Sequence, residues 1–181
     1  MDNCPEVYAP FNSGNAFRME PFQAWWRRIG REGYPTVPRN VARQWIHRHW
    51  SGGSPYRGLS LAGLTWSLEE LEANYLLNTV SVVGDTAQSY VEWGEYLLTE
   101  YLHNHWYGVA GAMLRRGVWP APIIVLDQRS AKLDQNIGLP LDGDMILIEG
   151  NRRLAIARAL RERGKLQGKL PVWLASPSEP F

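Results

Sequence analysis

Two adjacent arginines, Arg152 and Arg153, stand where an apolar segment gives way to a helical one. Residues 145–160 read MILIEGNRRLAIARAL, which predicts a buried strand, a turn at a glycine and then a helix. The first N–H groups of a helix have no partner within it and lie at the positive end of its dipole. This turn therefore predicts a site for an anion such as a phosphate group. Its residues are Gly150, Asn151, Arg152 and Arg153.

The position of Arg153 on the predicted helix favours this interpretation. Ile156, Ala157 and Leu160 follow it at the spacing of one helix face, so Arg153 begins the buried face. Helical side chains lean toward the N-terminus of the helix, so its guanidinium is expected to reach over the end of the preceding strand. A planar guanidinium suits a phosphate, and we expect Arg153 to face that ligand.

The alternative is a structural ion pair. In it, one of the two arginines binds a nearby carboxylate and holds the loop; the candidates are Glu149, Asp142 and Asp144. One arginine is enough for that purpose. A second cation at the positive end of a helix dipole is unfavourable without an anion, which favours the phosphate site.

Acidic residues near this turn could carry phosphate chemistry. Glu149 is the first candidate for the acid that orients a water molecule, because the strand direction brings it beside the turn. Asp85 is the second candidate. It is expected either to cap the helix that follows, for which Thr86 is the alternative, or to hold Mg²⁺ with Asp142, Asp144 or Glu149.

Charge is unevenly distributed along the chain. Residues 58–114 contain no Lys or Arg and seven acidic residues, whereas residues 150–169 carry a local net charge of +6. Such a basic segment predicts weak, sequence-independent DNA binding through phosphate contacts, and a solvated helix face is the alternative. We expect the DNA-contacting side chains on the exposed side of the helix; they are Arg158, Arg161 and Arg163.

The elements that position these residues can be predicted from periodicity. The segments PIIVLD, MILIEG and LPVWLA predict three strands of one sheet, with a helix between the last two. Upstream, LTWSLEELEANYLL predicts a short strand or turn and then a helix with a capping box at Ser67 and Glu70. A further strand is expected near 80–83. Helical patterning then extends to Arg116, with a break near Gly108.

The N-terminal third is rich in aromatic residues. FQAWWRRIG and VPRNVARQWIHRHW predict two helices, the second beginning at Pro38 and ending at Gly52 and Gly53. We therefore expect an α+β fold, a small mixed sheet with packed helices and an N-terminal helical extension. The expected boundaries are 1–60 for this extension packed on the core, 61–176 for the main domain and 177–181 for a tail.

Composition limits the class of protein. The 181 residues are 45% hydrophobic and 12% aromatic, which is enough for one domain with a substantial core. Cys4 is the single cysteine, so no internal disulfide can form. The sequence has no signal-peptide pattern and no apolar stretch near the ~18 residues of a membrane span. These features predict a cytoplasmic protein without a membrane span.

The segments AGAMLRRGVWPAPIIVLD, DMILIEGNRRLAIARAL and LPVWLA together resemble the ParB/sulfiredoxin superfamily. The resemblance covers residues 108–175, with weaker correspondence over 64–85, and EGNRRLA is its most specific part. In this superfamily a glycine and a short polar and basic signature at a helix start bind nucleotide phosphates. The resemblance implies that the turn at 150–153 does the same.

The resemblance also implies an activity. ParB-type partition proteins bind and hydrolyse CTP, sulfiredoxin uses ATP, and relatives include serine kinases, nucleases and plasmid fertility-inhibition factors. We therefore expect a protein of plasmid or mobile-element biology that binds and hydrolyses ATP or CTP with Mg²⁺, with DNase activity as a second activity. The expected partners are the triphosphate, DNA and a protein of a conjugation or partition system.

Departures from the superfamily pattern narrow these expectations. Asn151 occupies the position of the reactive cysteine of sulfiredoxin, which argues against reduction of a sulfinic acid. Partition proteins have a glutamate at the Asn151 position and continue into a helix-turn-helix domain. The serine kinases have histidines in the signature, and EGNRRLA contains none, which argues against their phosphotransfer chemistry.

The alternative function is a non-catalytic interaction or inhibitor protein that uses the same fold as a scaffold, with the aromatic N-terminal region as its contact surface.

Overall fold

The computed structural model describes residues 9–11, 18–50, 56, 59–104, 108–132 and 141–178. The chain divides into two compact units. The first unit comprises 1–66, 131–139 and 176–181, and the second comprises 67–130 and 140–175. The helices described do not include one that is both long and apolar enough to cross a membrane.

Helices form most of the regular structure described in the first unit. Helix α1 is Phe22–Gly33, and helix α2, Arg39–Val41, continues as a π-helical segment, Ala42–His47. A short 3₁₀ helix follows at Leu61–Gly63. Pro38 stands at the N-cap of α2, as predicted. The predicted end of this helix at Gly52 and Gly53 lies outside the described residues, and the helical conformation ends before it, at His47.

Aromatic rings contribute much of the described interior of the first unit. Trp25 is fully buried, and its ring lies 5.1 Å from that of His47 and 5.9 Å from that of Tyr34. The Nε2 atom of His47 lies 2.7 Å from the carbonyl oxygen of Glu20, within hydrogen-bond distance. Arg28 pairs with the Glu20 carboxylate at 2.6 Å and lowers the pKa of that group.

The second unit contains the sheet, apart from the first residues of β1 and the last residues of β5. Its strands are β1 (Leu64–Glu72), β2 (Val80–Ser81), β3 (Ile123–Asp127), β4 (Met145–Glu149) and β5 (Lys169–Pro177). Its helices are α3 (Ala73–Thr79), α4 (Ala87–Asn104), α5 (Gly108–Arg116) and α6 (Asn151–Glu162). The break between α4 and α5 falls beside Gly108, as predicted.

The five strands form one mixed sheet in the order β1-β5-β3-β4-β2. β3 is parallel to β5, with Val125 opposite Leu174, and antiparallel to β4, with Val125 opposite Leu147. β2 is parallel to β4. The prediction of three C-terminal strands in one sheet with a helix between the last two is confirmed, and so is a mixture of helices with a mixed sheet.

Helix α6 lies in the core of the second unit. All its residues from Arg153 to Leu160 are buried. Gly94 of α4 lies against the backbone of Ala155, where a side chain on Gly94 would collide with the carbonyl group. This close approach leaves α6 covered on more sides than an amphipathic surface helix.

One local prediction upstream of α4 differs from the structure. Ser67 does not begin a helix, because it lies inside β1 and its hydroxyl donates to Glu69 at 2.9 Å. The predicted capping box at Ser67 and Glu70 is therefore wrong. The cap of α4 is provided by Thr86, whose Oγ1 accepts the Ser89 N–H at 3.1 Å, while the Thr86 N–H donates to the Ser89 hydroxyl.

Candidate functional site

The turn between β4 and α6 is built around Gly150. Its φ of +114° lies in a region that favours glycine, and a Cβ there would come within 2.6 Å of the Ile123 side chain. The carbonyl of Gly150 accepts the Leu154 N–H at 2.9 Å, the first bond of the helix. Neither a capping side chain nor an acidic residue in the first turn is present among the described residues of α6. The start of α6 therefore keeps its positive polarity.

Arg153 is buried and bound on both sides of its guanidinium. One terminal nitrogen forms an ion pair with the Glu149 carboxylate, and the other donates to the carbonyl oxygens of Ala121 and Pro122, each at 2.8 Å. Arg153 and Glu149 thus form the structural ion pair that the sequence offers as the alternative to a phosphate contact. Arg153 connects the end of β4 to the loop before β3. A contact between Arg153 and a phosphate stays a prediction.

Asn151 and Arg152 are the exposed side chains of the turn. The side-chain oxygen of Asn151 accepts a hydrogen bond from the Tyr90 hydroxyl at 2.7 Å, which connects α6 to α4. Of the two adjacent arginines, Arg152 is therefore the one that solvent can reach. Whether these residues bind phosphate stays a prediction.

Arg158 does not lie on the exposed side of α6. It is buried, and one of its terminal nitrogens donates to the carbonyl oxygens of Leu77 at 3.2 Å and Val80 at 2.7 Å. These carbonyls lie at the C-terminal end of α3, where a cation is favourable for the helix dipole. The expected exposure of Arg158 to DNA is therefore wrong. Leu77 of α3, Val80 of β2 and Tyr90 of α4 lie against this side of α6.

The charge of Arg158 is incompletely balanced. Burial lowers the pKa of its guanidinium, the neighbouring charge of Arg161 lowers it further, and Tyr90 acts in the opposite direction. The guanidinium carbon lies 5.5 Å from the centre of the Tyr90 ring. In the part of the chain that the structure describes, the Nε atom of Arg158 has no hydrogen-bond partner, and the guanidinium has no carboxylate beside it.

The other two arginines predicted to contact DNA lie toward the surface. Arg161 donates to the Asn78 side chain at 2.7 Å and contacts Glu162, its neighbour in sequence. Arg163 forms a two-pronged ion pair with Glu95 of α4. Both side chains already have partners, and DNA binding by this segment stays a prediction.

Binding of Mg²⁺ by the predicted ligands Asp142 and Asp144 stays a prediction. Among the residues that the structure describes, no group of three or more His, Cys, Asp or Glu side chains could hold a metal ion. Asp142 and Asp144 are exposed before β4, and Asp85 is exposed before α4, where Ser89 donates to its carboxylate at 3.5 Å. Glu149 is held in the ion pair with Arg153. Catalytic roles for Glu149 and Asp85 stay predictions.

Sequence analysis missed a polar cluster at the end of β3. Asp127 is buried and binds Arg129, whose guanidinium also donates to the Tyr75 hydroxyl at 3.1 Å. Burial favours the neutral form of Asp127, but the hydrogen bonds from Arg129 outweigh it and lower the pKa of the carboxyl. The signal available in the sequence is a polar triplet, DQR, directly after an apolar strand.

Gln128 completes this cluster and fixes the start of the next strand. Its side-chain amide donates to the carbonyl oxygens of Leu141 at 3.0 Å and Gly143 at 3.2 Å. Its backbone N–H donates to the carbonyl oxygen of Asp144 at 2.7 Å. The described part of the loop before β4 is therefore fastened to the end of β3. These contacts give the cluster a structural role.

Comparisons of the chain with family models, with curated proteins and with solved structures found no match. The resemblance to the ParB/sulfiredoxin superfamily therefore stays a prediction that depends on the motif EGNRRLA and the order of the strands.

Proposed function

We propose that this protein binds a nucleoside triphosphate, ATP or CTP, with its phosphates at the start of α6. The observation that carries the proposal is the polarity of this helix start. α6 follows a buried strand, begins without a capping side chain, and has arginines in place of acidic residues in its first turn. Helix starts of this kind bind phosphate groups through their N–H groups.

The roles of the two arginines differ in this proposal. Arg152 is exposed and is the side chain that would neutralise a phosphate. Arg153 is a positioning residue, because its contacts with Glu149 and with the 121–122 carbonyls fix where α6 begins. Asn151, held by Tyr90, lies beside the proposed phosphate position.

Hydrolysis of the triphosphate is the finer part of the proposal. Glu149 would orient the attacking water, and the carboxylate would first have to leave Arg153. Among the described residues, the acidic side chains do not form a group of three or more that could hold Mg²⁺. A magnesium ion bound mainly by the substrate phosphates would be compatible with this arrangement.

The test is calorimetric titration of ATP and CTP, with Mg²⁺, into the wild type and two arginine variants. Arg152→Ala is expected to weaken binding by about 1.5–3 kcal/mol, the usual contribution of a hydrogen bond to a charged group. Arg163→Ala removes the same charge at the other end of α6 and is expected to leave the affinity unchanged. Release of inorganic phosphate measures hydrolysis in the same samples.

Two outcomes would contradict the proposal. One is the absence of saturable binding of either triphosphate by folded wild-type protein. The other is an equal loss of affinity in the two variants, which would indicate attraction to net charge alone. Either outcome would favour the alternative class, a non-catalytic interaction protein.

A further inference from the structure

A pocket of about 430 Å³ lies between α3, α4 and α6 within the second unit. Its volume is within the range of pockets that bind small molecules. Leu77 of α3 and Val91 of α4 provide apolar wall, while Asn78 and Gln88 provide side-chain amides. The pocket is therefore suited to an organic molecule with polar groups.

Two arginines of α6, Arg158 and Arg161, line the same pocket. Arg158 is only 4% exposed, its Nε atom lacks a hydrogen-bond partner among the described residues, and its other contacts there are with carbonyl groups and the Tyr90 ring. Carbonyl groups satisfy N–H donors but carry no net charge. A buried cation without an anion is unfavourable, so this position favours an anionic ligand.

Arg161 adds a second cation close to the first. The positive charge of Arg161 repels that of Arg158 and so contributes to the lowered pKa of Arg158. Glu162 also lines the pocket, but it contacts Arg161 and is itself largely exposed. One carboxylate on a ligand would balance one of the arginines, whereas a phosphate dianion can balance both and matches the fork geometry of a guanidinium.

We propose that the pocket between α3, α4 and α6 binds a small phosphate monoester, with its phosphate on Arg158 and Arg161. The pocket is larger than a bare phosphate requires. Asn78 accepts from Arg161 through its amide oxygen, and Gln88 donates to Glu92 through its amide nitrogen. The Asn78 amide nitrogen and the Gln88 amide oxygen are the groups that would contact carbonyl or hydroxyl groups of the organic part. This site is separate from the start of α6 and does not depend on the proposed triphosphate function.

The test uses folded full-length protein, with inorganic phosphate, AMP and glucose 6-phosphate as probes. Titrations at fixed ionic strength are expected to show saturable binding, tighter for a monoester than for inorganic phosphate. Arg161→Gln is expected to weaken binding about tenfold or more, because it removes one guanidinium from the pocket. Glu162→Gln is expected to tighten binding, because it removes the carboxylate that competes for Arg161.

Arg163→Gln is the matched control, since Arg163 follows the last residue of α6, two positions after Arg161, and does not line the pocket. Its affinity for the probes is expected to equal that of the wild type. Arg161 serves better than Arg158 for this test because Arg158 also caps α3, so its replacement could disturb the fold. Thermal unfolding of each variant checks that the domain is intact.

Amide NMR spectra locate the bound probe. Binding is expected to shift the signals of Asn78 and Gln88 while leaving those of Asn151 and Arg152 unchanged. No saturable binding of any probe, equal losses in Arg161→Gln and Arg163→Gln, or shifts confined to the start of α6 would each overturn the proposal.

Discussion

Arg153 and Arg158 are two buried arginines of the same helix with different partners. Arg153 is held by the Glu149 carboxylate and by two carbonyls. Arg158 also donates to two carbonyls, but no carboxylate accompanies them among the described residues. Both side chains form hydrogen bonds, and only one has an opposite charge beside it.

This difference separates a structural arginine from a candidate ligand-binding one. A carboxylate balances charge as well as accepting hydrogen bonds, so Arg153 and Glu149 form a complete pair that fixes the start of α6. Carbonyl groups at the end of α3 stabilise Arg158 only through their dipoles. The sequence favoured the first arginine for anion binding, whereas the structure leaves the second with the less balanced charge.

Removing the carboxylate from the complete pair should produce the largest loss of stability. Glu149→Ala leaves Arg153 buried without its anion, and we expect the free energy of unfolding to fall by about 3 kcal/mol or more. Urea denaturation at neutral pH measures this loss. The double variant Glu149→Leu with Arg153→Met is expected to recover much of it, because it leaves no buried charge unpaired.

A loss below about 1 kcal/mol in Glu149→Ala would show that Arg153 balances its charge without Glu149. The contrast between the two arginines would then fail. A large loss that the double variant does not recover would assign the effect to packing of the glutamate side chain.

Changing the turn should disturb the same pair through the backbone. Gly150→Ala places a Cβ at a φ of +114°, within 2.6 Å of Ile123 and 3.2 Å of the Arg153 guanidinium. We expect a loss of about 2–3 kcal/mol from strain and collision together, measured by urea denaturation. Gly164→Ala is the control, because its φ is +63° and a Cβ there would meet no atom within 4 Å.

The control should cost about 1 kcal/mol, the usual penalty for a left-handed residue other than glycine. Equal losses in the two glycine variants would mean that conformation alone, and not the contact with Ile123 and Arg153, makes Gly150 necessary.

The ion pair of Arg129 with Asp127 should have the smallest effect of the three changes, because Arg129 is partly exposed. Its carboxyl has a lowered pKa in the folded state, so the stabilisation is present above the ordinary pKa of aspartate and is lost as the pH falls through the lowered value. Asp127→Asn is expected to destabilise the protein by about 1–2 kcal/mol at pH 7 and progressively less below pH 4. Urea denaturation across this range measures the difference. A difference independent of pH would contradict a charged role for Asp127.

The C-terminal strands could be predicted from the sequence because each is a short, continuous apolar run bounded by polar residues or glycine. The start of α6 at Gly150 was predictable for a similar reason, since a glycine separates the two patterns. These signals are local. The extent of β1 could not be predicted, because Ser67 and Glu70 fit a helix cap as well as an edge strand, and pairing with β5 decides between them.

The environment of Arg158 could not be predicted from α6 alone. The apolar stripe through Ile156 and Leu160 identifies one buried face, but the opposite face is covered by other elements. Arg158 meets carbonyls of Leu77 and Val80, which lie far away in sequence. A pattern within one helix contains no information about which distant segment packs on its polar side.

The position of β5 has a consequence for how the chain folds during synthesis. β5 lies between β1 and β3, although both precede it in sequence. Until its residues leave the ribosome, β1 and β3 have exposed edges that can pair with other chains. Completion of the sheet therefore depends on its last strand, and a ribosome that stalls before residue 169 would hold a chain prone to aggregation.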